Sequence, residues 1–103
     1  MEIKVRQQEG KTALDLNGEL DFSNVEELQR EIQRQPVKLV EVDLQGIRFI
    51  DSSGVGMLLS QARLLNKQGR TLRIVGIPDY IKEDLEVIGF FRVLEVLDTQ
   101  ASA

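Results

Sequence analysis

The stretch FIDSSGVGMLL, residues 49–59, contains the strongest structural signal in this chain. Asp51, Ser52 and Ser53 are residue types that cap helix N-termini, and they stand directly before an apolar run with helical spacing. That run comprises Val55, Leu58, Leu59, Ala62 and Leu65. The sequence therefore predicts a helix that begins at the serines, with both hydroxyls at its electropositive end, where an anion is tolerated.

The same segment also has a simpler interpretation as an ordinary turn and helix cap without further function. Enzyme motifs fit it less well. A dinucleotide-binding fingerprint needs a third glycine where Leu59 stands, and the lysine of a Walker motif is missing. A nucleophile elbow needs glycine two residues before the serine, where Ile50 or Asp51 stands instead. Two interpretations remain open at this point, a structural cap and a modifiable surface.

Strand and helix patterns alternate on both sides of the serines. The expected elements are strands around residues 3–5, 14–16, 39–44, 72–75 and 93–97, and helices that begin near residues 23, 52 and 78. Ser23 and Glu26 form a capping box for the first helix, which must end before Pro36, and Gly69 is expected to end the second. The order β-β-α-β-α-β-α-β predicts an α/β domain with a small, mixed, mostly parallel sheet and helices packed on it.

Composition limits the domain count and the chemistry. The chain has 103 residues, 42% hydrophobic and 29% charged, which suits one compact domain over residues 1–98 with a loose tail at 99–103. It has no cysteine and no histidine, so thiolate chemistry, the usual general base and the usual zinc ligand are all missing. A net charge of -4 argues against nucleic-acid binding, and no apolar run reaches the length of a membrane helix. We expect a cytoplasmic domain with a protein partner and no cofactor.

The predicted parallel sheet also indicates where a site would form. Loops that follow parallel strands share one edge of the sheet, and here they are expected at residues 18–23, 46–53 and 76–78. Glu19 and Asp21 should therefore lie near Ser52. The carboxylates do not predict a calcium loop, because leucine replaces the glycine that its sixth position requires, and no metal site is expected.

Two motifs together resemble a known family. They are GELD at residues 18–21, before the first helix, and FIDSSGVG at residues 49–56, after a strand. Both are similar to those of STAS domains, in particular bacterial anti-sigma factor antagonists, and the resemblance covers nearly the whole chain. It implies a small sheet with helices on one side. It also implies that a partner kinase phosphorylates the first serine of Asp-Ser-Ser-Gly, Ser52, with Ser53 as the alternative acceptor and otherwise the expected helix cap.

The resemblance implies a mechanism of partner switching. The unphosphorylated domain binds an anti-sigma factor that is also a serine kinase of the histidine-kinase-like ATPase fold, and this binding releases the sequestered target. Phosphorylation of Ser52 abolishes binding, and a serine phosphatase resets it. The chain would then be a kinase substrate and not an enzyme.

Nine residues are expected at the partner surface on this resemblance: Glu19, Asp21, Asp51, Ser52, Ser53, Gly54, Val55, Gly56 and Met57. Gly54 and Gly56 would either admit close approach of the partner or serve only in packing. An alternative function keeps the fold without the switch. In that case the chain is a STAS regulatory subunit of a transporter or a signalling complex.

Overall fold

The computed structural model describes residues 1–87, 89 and 92. Its strands are β1 Glu2–Gln8, β2 Lys11–Leu20, β3 Leu39–Ile50 and β4 Thr71–Val75, and its helices are α1 Val25–Gln33, α2 Ser52–Lys67 and α3 Asp79–Val87. This order confirms the α/β class predicted from the sequence, as far as α3. The strand expected at residues 93–97 and the tail at 99–103 lie outside the described residues.

The four strands form one mixed sheet in the order β1-β2-β3-β4. β1 and β2 form an antiparallel hairpin, and its turn places Gly10 at φ 73°, a conformation that favours glycine. β2 pairs with β3, and β3 with β4, in parallel. The prediction of a mostly parallel sheet is therefore confirmed.

The core lies between the sheet and its helices. Both parallel crossovers step in the same direction across the sheet, so right-handed connections place α1 and α2 on one face. The largest fully buried side chains are Leu14, Leu20, Leu28, Ile32, Leu44, Ile47, Leu58, Leu65 and Leu85, together with Val40 and Val42. Several strand positions that alternate with these carry charges and form ion pairs on the opposite face of the sheet, namely Arg6–Asp15, Lys11–Glu41 and Arg73–Glu41.

β2 and β3 are longer than the sequence predicts. The expected loops at residues 18–23 and 46–53 are wrong in their first parts, because Gly18–Leu20 and Gly46–Ile50 continue the two strands as a pair. The register shifts twice along this stretch, so the two-residue periodicity that marks a strand is broken. Gly46 is needed here, since a Cβ on it would lie 2.6 Å from the carbonyl oxygen of Leu16.

The start of α1 is not the predicted capping box. Asn24 occupies the cap position, but its side chain bonds backward, accepting from the Asp21 N–H at 3.0 Å and donating to the Glu19 carbonyl at 2.8 Å. The Asp21 carboxylate accepts from the N–H and the hydroxyl of Ser23, at 2.9 and 2.6 Å. A side-chain turn, rather than a Ser–Glu pair, therefore shapes the connection from β2 to α1.

The predicted end of α2 is confirmed. Gly69 has φ 74°, and the N–H of Arg70 donates to the carbonyl of Leu65 at 2.8 Å, which is the pattern of a glycine-terminated helix. Beyond the end of β4, Tyr80 of α3 donates its hydroxyl to the carbonyl of Ile47 and so satisfies a group of β3 that β4 does not reach.

Candidate functional site at the start of α2

Asp51 joins the two connections at the carboxyl edge of the sheet. It is the N-cap of α2, and one carboxylate oxygen accepts from the Gly54 N–H at 3.0 Å. The other accepts from the N–H of Phe22, in the turn after β2, at 3.1 Å. The Asp51 N–H in turn donates to the carbonyl of Leu20 at 3.2 Å. The expectation that Ser53 caps this helix is wrong, because Asp51 has donors on both sides of its carboxylate.

Ser52 is the first residue of α2 and is exposed, whereas Ser53 is half-buried. The first turn of a helix presents N–H groups with a partial positive charge, so a phosphate on Ser52 would sit at an electrostatically favourable position. Asp51 already satisfies one of these N–H groups. The arrangement can accept an anion without changing the cap that starts the helix.

Three of the residues expected to bind a partner lie beneath the surface. Gly54, Val55 and Met57 are buried, and a Cβ on Gly54 would lie 2.9 Å from side-chain carbons of both Ile50 and Leu20. Their side chains have little accessible surface in the free domain, and their direct contact with a partner stays a prediction. Of the two roles left open for Gly54, the structure shows packing.

Gly56, one turn from Ser52, is exposed, and a Cβ on it would meet nothing within 4 Å among the described residues. A second protein could therefore approach the helix backbone closely at this point. Close approach of a partner at this glycine stays a prediction.

Glu19 and Asp21 lie beside the start of α2, as the parallel arrangement predicts. Leu20 pairs with Ile50, the last residue of β3, and the exposed Glu19 pairs with Phe49. The hydroxyl of Ser23, and then its N–H, holds the pKa of Asp21 below its usual value by hydrogen bonding to the carboxylate. The Asp21 carboxylate is therefore ionised near neutral pH.

Two aromatic side chains are exposed at the same edge. Phe22 is 80% exposed and Phe49 is 51% exposed. Phe22 was not among the predicted partner residues, although a phenylalanine between Asp21 and Ser23 in a polar turn was a visible signal. Large exposed apolar side chains near charged residues are typical of protein interfaces.

Comparison with known proteins identifies the family. A STAS domain model matches residues 2–103. The chain belongs to the STAS domain family. Among curated relatives, this STAS domain is 24% identical over 107 residues to the anti-sigma F factor antagonist of Paenibacillus polymyxa, spanning 100% of this chain and 92% of that protein. It is 27% identical over 84 residues to an anti-sigma-B factor antagonist of Staphylococcus aureus, spanning 79% and 78%.

Solved structures share the fold of this STAS domain. The phosphorylated form of the Bacillus cell fate determinant SpoIIAA matches with a TM-score of 0.70 at 21% identity, over 88% of this chain and 86% of that one. A sulfate transporter family protein from Wolinella succinogenes matches with a TM-score of 0.73 at 22% identity, over 82% and 71%. At these identities the likeness establishes the architecture and not the role.

The described residues contain neither a membrane-spanning helix nor a metal-binding cluster. None of their helices combines the length and the apolarity that crossing a membrane requires. Within the same residues, no three carboxylate side chains converge in a way that could hold a metal ion.

Proposed function

We propose that this STAS domain is an anti-sigma factor antagonist that works by partner switching. In the unphosphorylated state, the surface around Ser52 binds an anti-sigma factor that is also a serine kinase of the histidine-kinase-like ATPase fold, and the target of that factor is released. Phosphorylation of Ser52 abolishes the complex, and a serine phosphatase restores it. The supporting observation is the exposed hydroxyl of Ser52 at the first residue of a helix that Asp51 already caps.

Exposure favours Ser52 over Ser53 as the acceptor, because a kinase must bring the hydroxyl to the terminal phosphate of ATP. The phosphate adds a charge of about -1.5 to -2 at a helix N-terminus, where the domain itself tolerates it. We therefore expect phosphorylation to leave the fold intact and to act on the complex alone. The phosphate-transfer machinery belongs to the partner, so this chain is a substrate in the reaction.

The names of the curated relatives support the same role. The relative from Paenibacillus polymyxa is an anti-sigma F factor antagonist and spans the whole of this chain. The second candidate function is that of a non-switching regulatory subunit in a transporter or signalling complex. The match to the Wolinella succinogenes sulfate transporter family protein supports it through the fold alone.

The test begins with the partner captured from a lysate of the organism that carries this chain. The captured protein is purified, incubated with ATP and the domain, and the modified residue is located by mass spectrometry. We expect one phosphate on Ser52 of the wild type and none on Ser52→Ala. Ser60→Ala is the matched control, since Ser60 is a second exposed serine on α2, and it should be phosphorylated as the wild type is.

Binding to the same kinase completes the test. Ser52→Ala should bind like the unphosphorylated wild type, whereas Ser52→Asp should bind weakly and keep the thermal midpoint of the wild type. Equal binding by both variants, or phosphate appearing on the domain without the kinase, would contradict the proposal. Recovery of a transporter subunit in place of a kinase supports the second candidate.

A further inference from the structure

Phe22 and Phe49, whose rings are exposed, lie close along the backbone to the residue that carries the proposed switch. Phe49 stands three residues before Ser52, and the main chain of Phe22 bonds to Asp51, the residue directly before Ser52. Neither ring is used by the core, since they are 80% and 51% exposed. Exposed aromatic side chains at an interface bury a large apolar area with few rotatable bonds, and they are enriched among residues that dominate binding energy.

The backbone that carries Phe22 is ordered in advance. The carbonyl of Asp21 accepts from the N–H groups of Asn24 and Val25 at 3.1 Å each, and the Asp21 carboxylate accepts from Ser23. Asp51 fixes the Phe22 N–H itself at 3.1 Å. A partner would therefore not have to order this turn on binding, which lowers the entropic cost of the complex.

The charges around the rings indicate the chemistry of the partner. Glu19 is exposed and directly paired with Phe49, and the lowered pKa of Asp21 keeps that carboxylate ionised. Cations also lie here, since the exposed Arg48 stands directly before Phe49 and the N-terminal ammonium helps to lower the pKa of Asp21. A complementary surface has apolar pockets for two rings and cationic groups opposite the carboxylates. The cationic groups of such a surface would attract a phosphate on Ser52 rather than repel it. The loss of binding on phosphorylation then needs another physical cause.

Resting on the function proposed above, we propose that Phe22 and Phe49 anchor the kinase partner and seal Ser52 from water in the complex. A serine hydroxyl can be buried in such a seal at a modest cost if it finds one hydrogen bond. A phosphate dianion cannot, because the free energy of removing its water exceeds what a partly apolar site returns. The phosphorylated domain is then excluded by the cost of desolvation.

The anchors are tested by titrating the kinase captured above with Phe22→Ala and Phe49→Ala in calorimetry. Each change should weaken binding of the unphosphorylated domain by about 30-fold, the loss typical of an interface hot spot. Leu64→Ala is the matched control. Leu64 is 37% exposed, and it lies twelve residues along α2 from Ser52, about 18 Å away. It should bind as the wild type does, and all three variants should keep the wild-type thermal midpoint.

The two proposals fail in different ways. If the wild type binds no kinase in a manner that depends on Ser52, the function proposed above is overturned and the anchors with it. If the wild type binds and the two phenylalanine variants bind equally well, only the anchors are overturned.

Salt distinguishes desolvation from charge repulsion. The ratio of the affinities of the wild type and Ser52→Asp is measured between about 50 and about 500 mM NaCl, a range over which the screening length falls from roughly 14 to roughly 4 Å. Desolvation predicts a ratio that stays within about threefold across this range. A ratio that falls towards one as salt rises would show Coulomb repulsion and would overturn the proposed mechanism of exclusion.

Discussion

Gly54 and Gly56 occupy the same turn of α2 but have opposite surroundings. A Cβ on Gly54 would lie 2.9 Å from side chains of Leu20 and Ile50 and 3.1 Å from the Leu20 carbonyl. We expect Gly54→Ala to lower the free energy of unfolding by about 1–3 kcal/mol, because the overpacking exceeds the gain in helix propensity. Gly56→Ala meets open space among the described residues and should raise it by about 0.5–1 kcal/mol. Urea unfolding of both variants measures the difference, and a stabilised Gly54→Ala would contradict this packing.

The sequence predicted which residue types cap α2, but it did not predict which of the three residues is the cap. The sequence placed three capping residues at 51–53, and nothing local distinguishes Asp51 from Ser53 as the cap. The N–H of Phe22 favours Asp51 as the cap, and it reaches Asp51 only because β2 and β3 end side by side. A contact between residues 29 positions apart has no local sequence signal.

α2 carries a polar group inside its apolar face. Gln61 is 3% exposed, and its side-chain oxygen has no hydrogen-bond partner among the described residues. A buried acceptor without a partner costs about 1–3 kcal/mol. Gln61→Met keeps a similar volume and removes the acceptor, so we expect the free energy of unfolding to rise by about 1 kcal/mol.

The stability of Gln61→Met is measured by urea unfolding beside Gln29→Met. Gln29 is a half-buried glutamine on α1 and serves as the control, which should change stability little. A clear loss of stability in Gln61→Met alone would show that the amide oxygen has a partner after all.

The ends of helices and strands could be predicted where the spacing of apolar residues is regular, and the predictions failed where it is not. The apolar spacing of α2 and the glycine at residue 69 fixed both of its ends correctly. The ends of β2 and β3 were missed, because the register shifts after Asp15 and Gly18 interrupt the alternation of buried and exposed positions. The glycines at 18 and 46 looked like loop signals for the same reason.

Acid should destabilise the whole domain through two carboxylates. Arg6 donates to both oxygens of Asp15, at 2.5 and 3.0 Å, and this hydrogen-bonded pair holds the pKa of Asp15 below its usual value. Ser23 lowers the pKa of Asp21 in the same way. Since both pKa values are lower in the folded state, their stabilisation is complete above about pH 5 and is lost as the pH falls through the folded values.

Urea unfolding between about pH 7 and about pH 3 tests this dependence. The midpoint should fall as the pH drops below about 4. Asp15→Asn should start lower at neutral pH and fall less. A variant with the same slope as the wild type would show that Asp15 does not contribute to the dependence.

At the scale of the molecule, the sequence predicted the fold class but not the order of the strands in the sheet. Alternating strands and helices require crossovers, which gave a mostly parallel sheet. Whether each new strand is added beside the previous one depends on which apolar faces meet across the core, and the sequence pattern does not encode that choice. The observed order β1-β2-β3-β4 brings the ends of β2 and β3 together, and it thereby brings Glu19 and Asp21 to Ser52.

The length of β2 also sets the two ends of this small protein apart. Lys11 and Glu41 form an ion pair near the end of the strands opposite Asp51, and the nine residue steps from Lys11 to Leu20 span about 30 Å. A tether, a fused domain or an immobilising tag can therefore be attached at the Lys11 end without covering the end that carries Ser52. Even in a domain of this size, Ser52 can stay accessible while the opposite end is immobilised.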